Sequence, residues 1–310
     1  MERVGRRAAR NVRRGGRRRP PPPPASARLR RRTACPRRKR AARTYNRGVR
    51  ELLRELDELR RFAGCPASRP VAPPPGRTLA QVVGGRELRC GDGACWELVT
   101  PLEQVPQAQR IDGGALAAPL ECETAPGRFV ALDPSRALLL DVETGGFAGT
   151  PVFLIGVVAL GRAPLCVEQW LARDYPEERA LLRRLGEYVR CRPTWVTFNG
   201  KAFDAPFVLE RATVHGVELC PPQQHVDLLH VARRRWRGVL RDFRLETLER
   251  HVLGQVRVGD VAGCEIPDLF HHFIRTGNAG PLKPVLEHNR LDLLASLGLL
   301  LRLARPRQRA

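Results

Sequence analysis

Aromatic residues are scarce, at 5% of 310, and methionine occurs once. No apolar run reaches 18 residues, which excludes an uninterrupted membrane-spanning helix, and the N-terminus lacks the apolar stretch of a secretory signal. The expected address is therefore the cytoplasm, with no membrane partner. Regular cysteine spacing is missing as well. Nine cysteines, at 35, 65, 90, 95, 122, 166, 191, 220 and 264, are an odd number without a repeat, which does not suit a secreted disulfide framework. Cys90 and Cys95 flank a Gly-Asp-Gly-Ala turn that could bring both thiols to one metal. No second Cys/His pair at a zinc-like spacing accompanies them, so free, mostly buried thiols are expected. Acidic residues are outnumbered, 32 against 54 Lys and Arg, for a formal net charge of +22.

That charge is unevenly placed. Residues 1–43 hold 18 of the basic groups and one acid, Glu2, which leaves 36 basic and 31 acidic groups, a net of +5, for the rest. An Arg/Pro-rich stretch with so few apolar groups cannot bury enough surface to offset its ordering entropy, and Pro20–Pro24 favours a polyproline II rod. Residues 1–46 therefore read as a disordered basic tail. It is either a non-specific phosphate-binding arm or an extension without a role, including sequence translated from a wrongly chosen start. The proline run argues against the amphipathic helix of a mitochondrial transit peptide.

After the tail, Val49, Leu52, Leu53, Leu56 and Leu59 recur at helical spacing and predict an amphipathic helix over 47–62, and the Pro/Gly-rich stretch 64–76 reads as a linker. Residues 47–134 as a whole read as a small, irregular accessory region. Within it Val82–Gly85 and Trp96–Val99 are expected as short strands. From about residue 135 to 304 the pattern becomes regular. Strands are expected over 137–142, 152–160 and 165–171, and their short connections suit antiparallel neighbours. A helix opened by Pro176 follows, then a strand over 194–198, a helix over 203–215 and a strand over 224–229. Helical patterns then run over 228–236, 243–253, 266–276 and 282–304. Periodicity alone makes this an α/β domain.

Its chemistry-bearing stretch is Leu138-Leu139-Leu140-Asp141-Val142-Glu143, closed by Thr144-Gly145-Gly146. Residues two apart on a strand share a face, so Asp141 and Glu143 stand side by side at the strand's end. Two such charges repel, and their burial calls for hydrogen bonds or a cation. Asp204 falls in the first turn of a helix, a position the helix dipole favours without further function. His288 and Asp292 lie four apart on the last helix, hence on one face. Separately each has an ordinary explanation. Together they supply hard oxygen ligands for two divalent ions and an imidazole able to act as a base.

Asp-x-Glu at 141–143, Asn-Gly-x-x-Phe-Asp-x-Pro-Phe at 199–207 and His-Asn-x-x-Asp at 288–292 resemble the DEDD exonuclease superfamily, and more closely its YprB-type ribonuclease H-like branch. The stretches 226–230, 244–249, 253–254 and 261–267 look like the segments that separate the second and third motifs there. The resemblance covers about residues 135–304. It implies a ribonuclease H-like mixed five-stranded sheet flanked by helices. It also implies a 3′–5′ exonuclease that releases nucleoside 5′-monophosphates from DNA or RNA with two Mg²⁺ or Mn²⁺ ions. Asp141 would bridge the metals, Glu143 and Asp292 would serve the nucleophile-side ion, Asp204 would hold the other through water, and His288 would be the general base. The histidine subgroup usually has four residues between base and aspartate, whereas three separate His288 from Asp292; the alternative for His288 is to orient the water or touch the scissile phosphate. Asn199, Lys201 and the arginines within 233–237 are expected phosphate contacts. Asp227 is expected as a buried strand-end carboxylate bonded to backbone.

Two other readings stay open: a structure-specific endonuclease on the same fold, and an idle nucleic-acid-binding module. For any of the three, deletion of residues 1–43 should weaken nucleic-acid binding and flatten its salt dependence, and for either nuclease it should spare turnover at saturating substrate. Binding titrations at several salt concentrations beside turnover assays check this, and loss of turnover would give the tail a role in the chemistry.

Overall fold

The computed structural model describes residues 78–125, 127–146 and 149–306. The tail over 1–46, the helix over 47–62 and the linker over 64–76 lie outside the described residues. The chain runs α1 (Leu79–Val83), β1 (Arg86–Cys90), β2 (Gly93–Pro101), β3 (Leu120–Ala125), β4 (Arg128–Leu132), β5 (Ala137–Thr144), β6 (Val152–Ala159) and β7 (Cys166–Leu171). It continues through α2 (Glu178–Arg190), β8 (Thr194–Thr197), α3 (Asp204–Val214), β9 (Gln224–Asp227), α4 (Leu228–Arg235), α5 (Leu245–Leu248), α6 (Ile266–Thr276), α7 (Leu282–Leu303) and β10 (Ala304–Pro306).

The main sheet has seven strands in the order β1-β2-β7-β6-β5-β8-β9, and β10-β3-β4 form a smaller one. The five expected strands stand together from β7 to β9. β5, β6 and β7 pair antiparallel, as their short connections required, while β8 and β9 add on in parallel. Beyond the expected five, the β1–β2 hairpin extends the sheet by pairing with β7. Trp96–Val99 lies within β2, as a strand. Val82–Gly85 does not form one. Thr78 and Gln81 make a reciprocal capping box that winds Leu79–Val83 into a short helix, so a local cap outweighs the β-preference of two valines. The helix expected over 243–253 is α5 followed by a π-helical turn, Glu249–Leu253, that ends at the left-handed Gly254.

β5 and β6 are buried on both faces, which is why they read as unbroken apolar runs. Leu138, Leu140 and Val142 pack with Leu181, Leu182 and Leu185 of α2, Val208 of α3 and Phe270 of α6. Phe270 stacks on Phe153 of β6 with ring centroids 4.0 Å apart. Leu139 joins the opposite cluster with Val231 of α4 and Leu293, Leu297 and Leu300 of α7. Since residues alternate along β5, Asp141 and Glu143 share Leu139's face, the one α7 covers.

Glu178 ties the helices of the first layer to the sheet. It is 1% exposed and accepts from Val152 N (2.8 Å), Arg211 Nε (2.7 Å) and His215 Nε2 (2.7 Å). Burial alone would raise its proton affinity; the bonds from Arg211, Val152 and His215 outweigh it and hold the carboxyl below the ordinary glutamate range. A carboxyl lowered on folding contributes stability that is complete above the unfolded pKa of about 4.3 and is lost as the pH falls through the folded value. Glu178→Gln should cost about 3 kcal/mol at neutral pH by leaving Arg211 without its counter-charge, and the gap from wild type should narrow on acidification. Urea unfolding at neutral and acidic pH measures both, and an unchanged neutral midpoint would show that the cluster adds nothing.

Candidate active site

Asp141 is held from behind by a relay of amides. Asn289 of α7, fully buried, donates from Nδ2 to Asp141 Oδ2 (2.8 Å). Its own Oδ1 accepts from Gln169 Nε2 of β7 (2.8 Å), which also donates to the Leu286 carbonyl (2.8 Å). The relay passes over Gly156, the residue of β6 paired with Asp141. A side chain there would collide with Asn289 Oδ1 and come within 2.7 Å of Leu293 Cδ1, so only glycine lets α7 approach this closely.

Asp204 opens α3 and is 4% exposed. Its Oδ1 accepts the Val142 backbone N–H (3.1 Å), which docks the helix start onto β5 between the two strand carboxylates. The turn leading into α3 is pinned by Asp227 at the end of β9. Asp227 accepts from the backbone N–H of Asn199 (3.0 Å), Lys201 (3.0 Å) and Leu229 (3.1 Å), the role expected of it. Asn199 takes a left-handed φ of 63°, and the side chain of Lys201 is exposed.

The carboxylates act on one another. Burial first, then the charges of Asp292, Asp204 and Glu143, push Asp141 well above the ordinary carboxylate range, against a smaller opposing effect of Asn289. Glu143 is raised in the same way, by burial and then by Asp292, Asp204 and Asp260. Burial lifts Asp204 to about 7 although its own backbone N–H and that of Val142 pull the other way. These three groups resist ionisation for lack of compensating charge.

Asp292 does have such a partner. Arg257, on the loop between Gly254 and α6, places Nη1 2.6 Å from Asp292 Oδ1 and 2.9 Å from Asp260 Oδ2, and Nε 2.6 Å from Glu249 Oε2. His288 sits beside them, its Nδ1 2.9 Å from Asp260 Oδ1 and its Nε2 3.7 Å from Asp292 Oδ2. All five acid and base residues expected from the sequence thus line one region at the end of β5, and Asn199 and Lys201 lie on the turn that leads into it. Among the described residues, no three His, Cys, Asp or Glu side chains are placed to hold a metal ion together. The chemistry of the donors nonetheless suits a divalent cation: hard oxygens in surroundings too dry to leave them charged unaided.

Sequence patterns did not single out Asn289, Glu249, Arg257 or Asp260. Asn289 lay inside the quoted His-Asn-x-x-Asp motif and was visible there. Arg257 and Asp260 sit in a loop without periodicity, and only the fold brings them to the site. Cys90 and Cys95 are free and buried. No helix among the described residues is long and apolar enough to cross a membrane.

The family model of the RNase H superfamily matches residues 138–304. A Bacillus subtilis (strain 168) protein, "Uncharacterized protein YprB", is 36% identical over 176 residues, 55% of this chain and 42% of that protein, so the chain spans less than half of that relative's length. The catalytic polypeptide of DNA polymerase epsilon from Kluyveromyces lactis is 47% identical over 53 residues, 16% of this chain and 2% of the polymerase. Among solved structures, the family B DNA polymerase of the hyperthermophilic archaeon Pyrobaculum calidifontis aligns with a TM-score of 0.44 at 20% identity, over 54% of this chain and 24% of the polymerase. With the family model covering more than half of its residues, the chain belongs to the RNase H superfamily.

Proposed function

We propose that this chain is a divalent-metal-dependent nuclease that removes nucleotides from the 3′ end of DNA or RNA. Membership of the RNase H superfamily supports a nuclease-type function. The observation that carries the finer reading is the placement of Asp141 and Glu143 on one face at the end of β5 with Asp204 docked between them through the Val142 N–H, a gathering of carboxylates whose proton affinities burial and neighbouring acids raise. A protein keeps such an arrangement at a cost in stability, and the usual return is a site that binds cations or moves protons.

Asp141, Glu143, Asp204 and Asp292 would hold two Mg²⁺ or Mn²⁺ ions, whose chemistry when bound is to neutralise the phosphate and stabilise the attacking and leaving oxygens. The rest falls to the chain. Asn289 fixes the rotamer of Asp141, and the Asp204–Val142 bond sets the distance between α3 and β5. His288 accepts the proton of the attacking water. Asn199 and Lys201, on the turn that Asp227 pins, reach the phosphate backbone of the strand.

Incubation of 5′-labelled single strands of DNA and RNA with Mg²⁺, Mn²⁺ or EDTA tests this reading. Wild type should give a metal-dependent ladder that shortens from the 3′ end, and Asp141→Asn and Asp292→Asn should give none while still binding the strand. A single internal product would replace the exonuclease by an endonuclease, and binding without cleavage would leave a nucleic-acid-binding module. Asn289→Ala removes an orienting bond rather than a ligand, so its cleavage should fall by about 10- to 100-fold without vanishing. Full activity in that variant would show that the amide relay does not govern Asp141.

A further inference from the structure

We infer that Asp260 is the positioning residue for His288: it holds the imidazole as the Nδ1–H tautomer, so that the Nε2 lone pair faces the attacking water. The inference rests on the nuclease reading above and adds a residue to it.

Both carboxylate oxygens of Asp260 accept hydrogen bonds from its own loop. Oδ1 accepts the Val261 backbone N–H (2.9 Å), and Oδ2 accepts Arg257 Nη1 (2.9 Å). The carboxylate is thus fixed on both oxygens before His288 is considered. His288 Nδ1 lies 2.9 Å from Oδ1, and since Asp260 acts here as an acceptor, the proton between them belongs to Nδ1. Free imidazole has no such constraint, and which nitrogen carries the proton is set by the bond the other makes. Nε2 is left bare. It stands 3.7 Å from Asp292 Oδ2, too far for a direct hydrogen bond.

Arg257 explains how so exposed a stretch of chain delivers a fixed carboxylate. The loop that carries it includes Val256 and Val258, 65% and 94% exposed, yet Arg257 itself turns inward and is anchored by Glu249 and Asp292. Asp260 is three residues beyond that anchor. The helical spacing completes the geometry, because four residues along α7 put His288 and Asp292 on one face and Asp260 meets the ring at its other nitrogen.

In the step this serves, an O–H bond of water breaks and its proton passes to His288 Nε2, giving an imidazolium whose charge Asp260 balances. The water oxygen forms a bond to phosphorus as the bond from phosphorus to the 3′ oxygen breaks, and that oxygen takes a proton from solvent. Asp260 keeps its charge throughout and exchanges no proton.

Long-range ¹H–¹⁵N correlation spectra of the histidine-labelled full chain with Mg²⁺, recorded at about pH 8, report the tautomer directly. His288 is assigned by its loss in His288→Gln. Wild type should show Nδ1–H at His288. Asp260→Asn, which can offer N–H to Nδ1, should convert it to Nε2–H and lower kcat by about 10²-fold or more with KM nearly unchanged, and Asp260→Glu should recover part of the rate. An Nε2–H tautomer in active wild type overturns the inference without any variant, as does a converted tautomer with kcat intact. Failure of the nuclease reading looks different: wild type would cleave neither strand while His288 still showed Nδ1–H.

Discussion

Asp141, Glu143 and Asp204 stand where the apolar centre of the sheet meets its end, and the neighbouring elements are arranged around their repulsion in that dry place. Leu139 and Leu140 draw β5 into the core, and the same strand then carries two carboxylates onto the face that α7 covers. Asn289 answers one of them with an amide, Val142 answers Asp204 with a backbone N–H, and Arg257 answers Asp292 with a full charge. None of these is enough to restore the ordinary proton affinity of the trio. The site is therefore built with an electrostatic debt that a bound cation would settle.

Around the trio is a second set of groups, Asp260, Glu249 and Arg257, held to one another by ion pairs. Asp260 is held below the ordinary range, because the bonds from Arg257 and His288 outweigh the effect of its burial. Glu249 and Arg257 anchor each other within the fold. Among the described residues the trio has no cationic partner, whereas Asp260 and Glu249 each face the Arg257 guanidinium.

The regular part of the fold was legible because each of its strands and helices carries a local signature. β5 and β6 read as strands from their unbroken apolar runs, α2 from the Pro176 that opens it, and α7 from its helical pattern, which then put His288 and Asp292 on one face. The five acid and base positions followed from that framework and from a motif likeness. The place of Arg86–Pro101 was not legible, because pairing with β7 is a contact between distant segments that neither segment encodes alone. The loop through Arg257 and Asp260 was opaque for a related reason: a side chain that works by reaching across space leaves no period in the sequence. Val82 and Val83 misled in the opposite sense, since their β-preference is weaker than the helix cap that Thr78 sets just upstream.

The β1–β2 hairpin also decides which strand forms one edge of the main sheet. β7 is buried from Val167 to Leu171, and without β2 its open N–H and C=O groups would be a free edge of the sort that can pair with strands from other molecules. The hairpin transfers that edge to β1, five residues long and studded with Arg86, Glu87 and Arg89. A piece cut to 138–304 would keep every candidate site residue and leave β7 as the outer strand of the sheet.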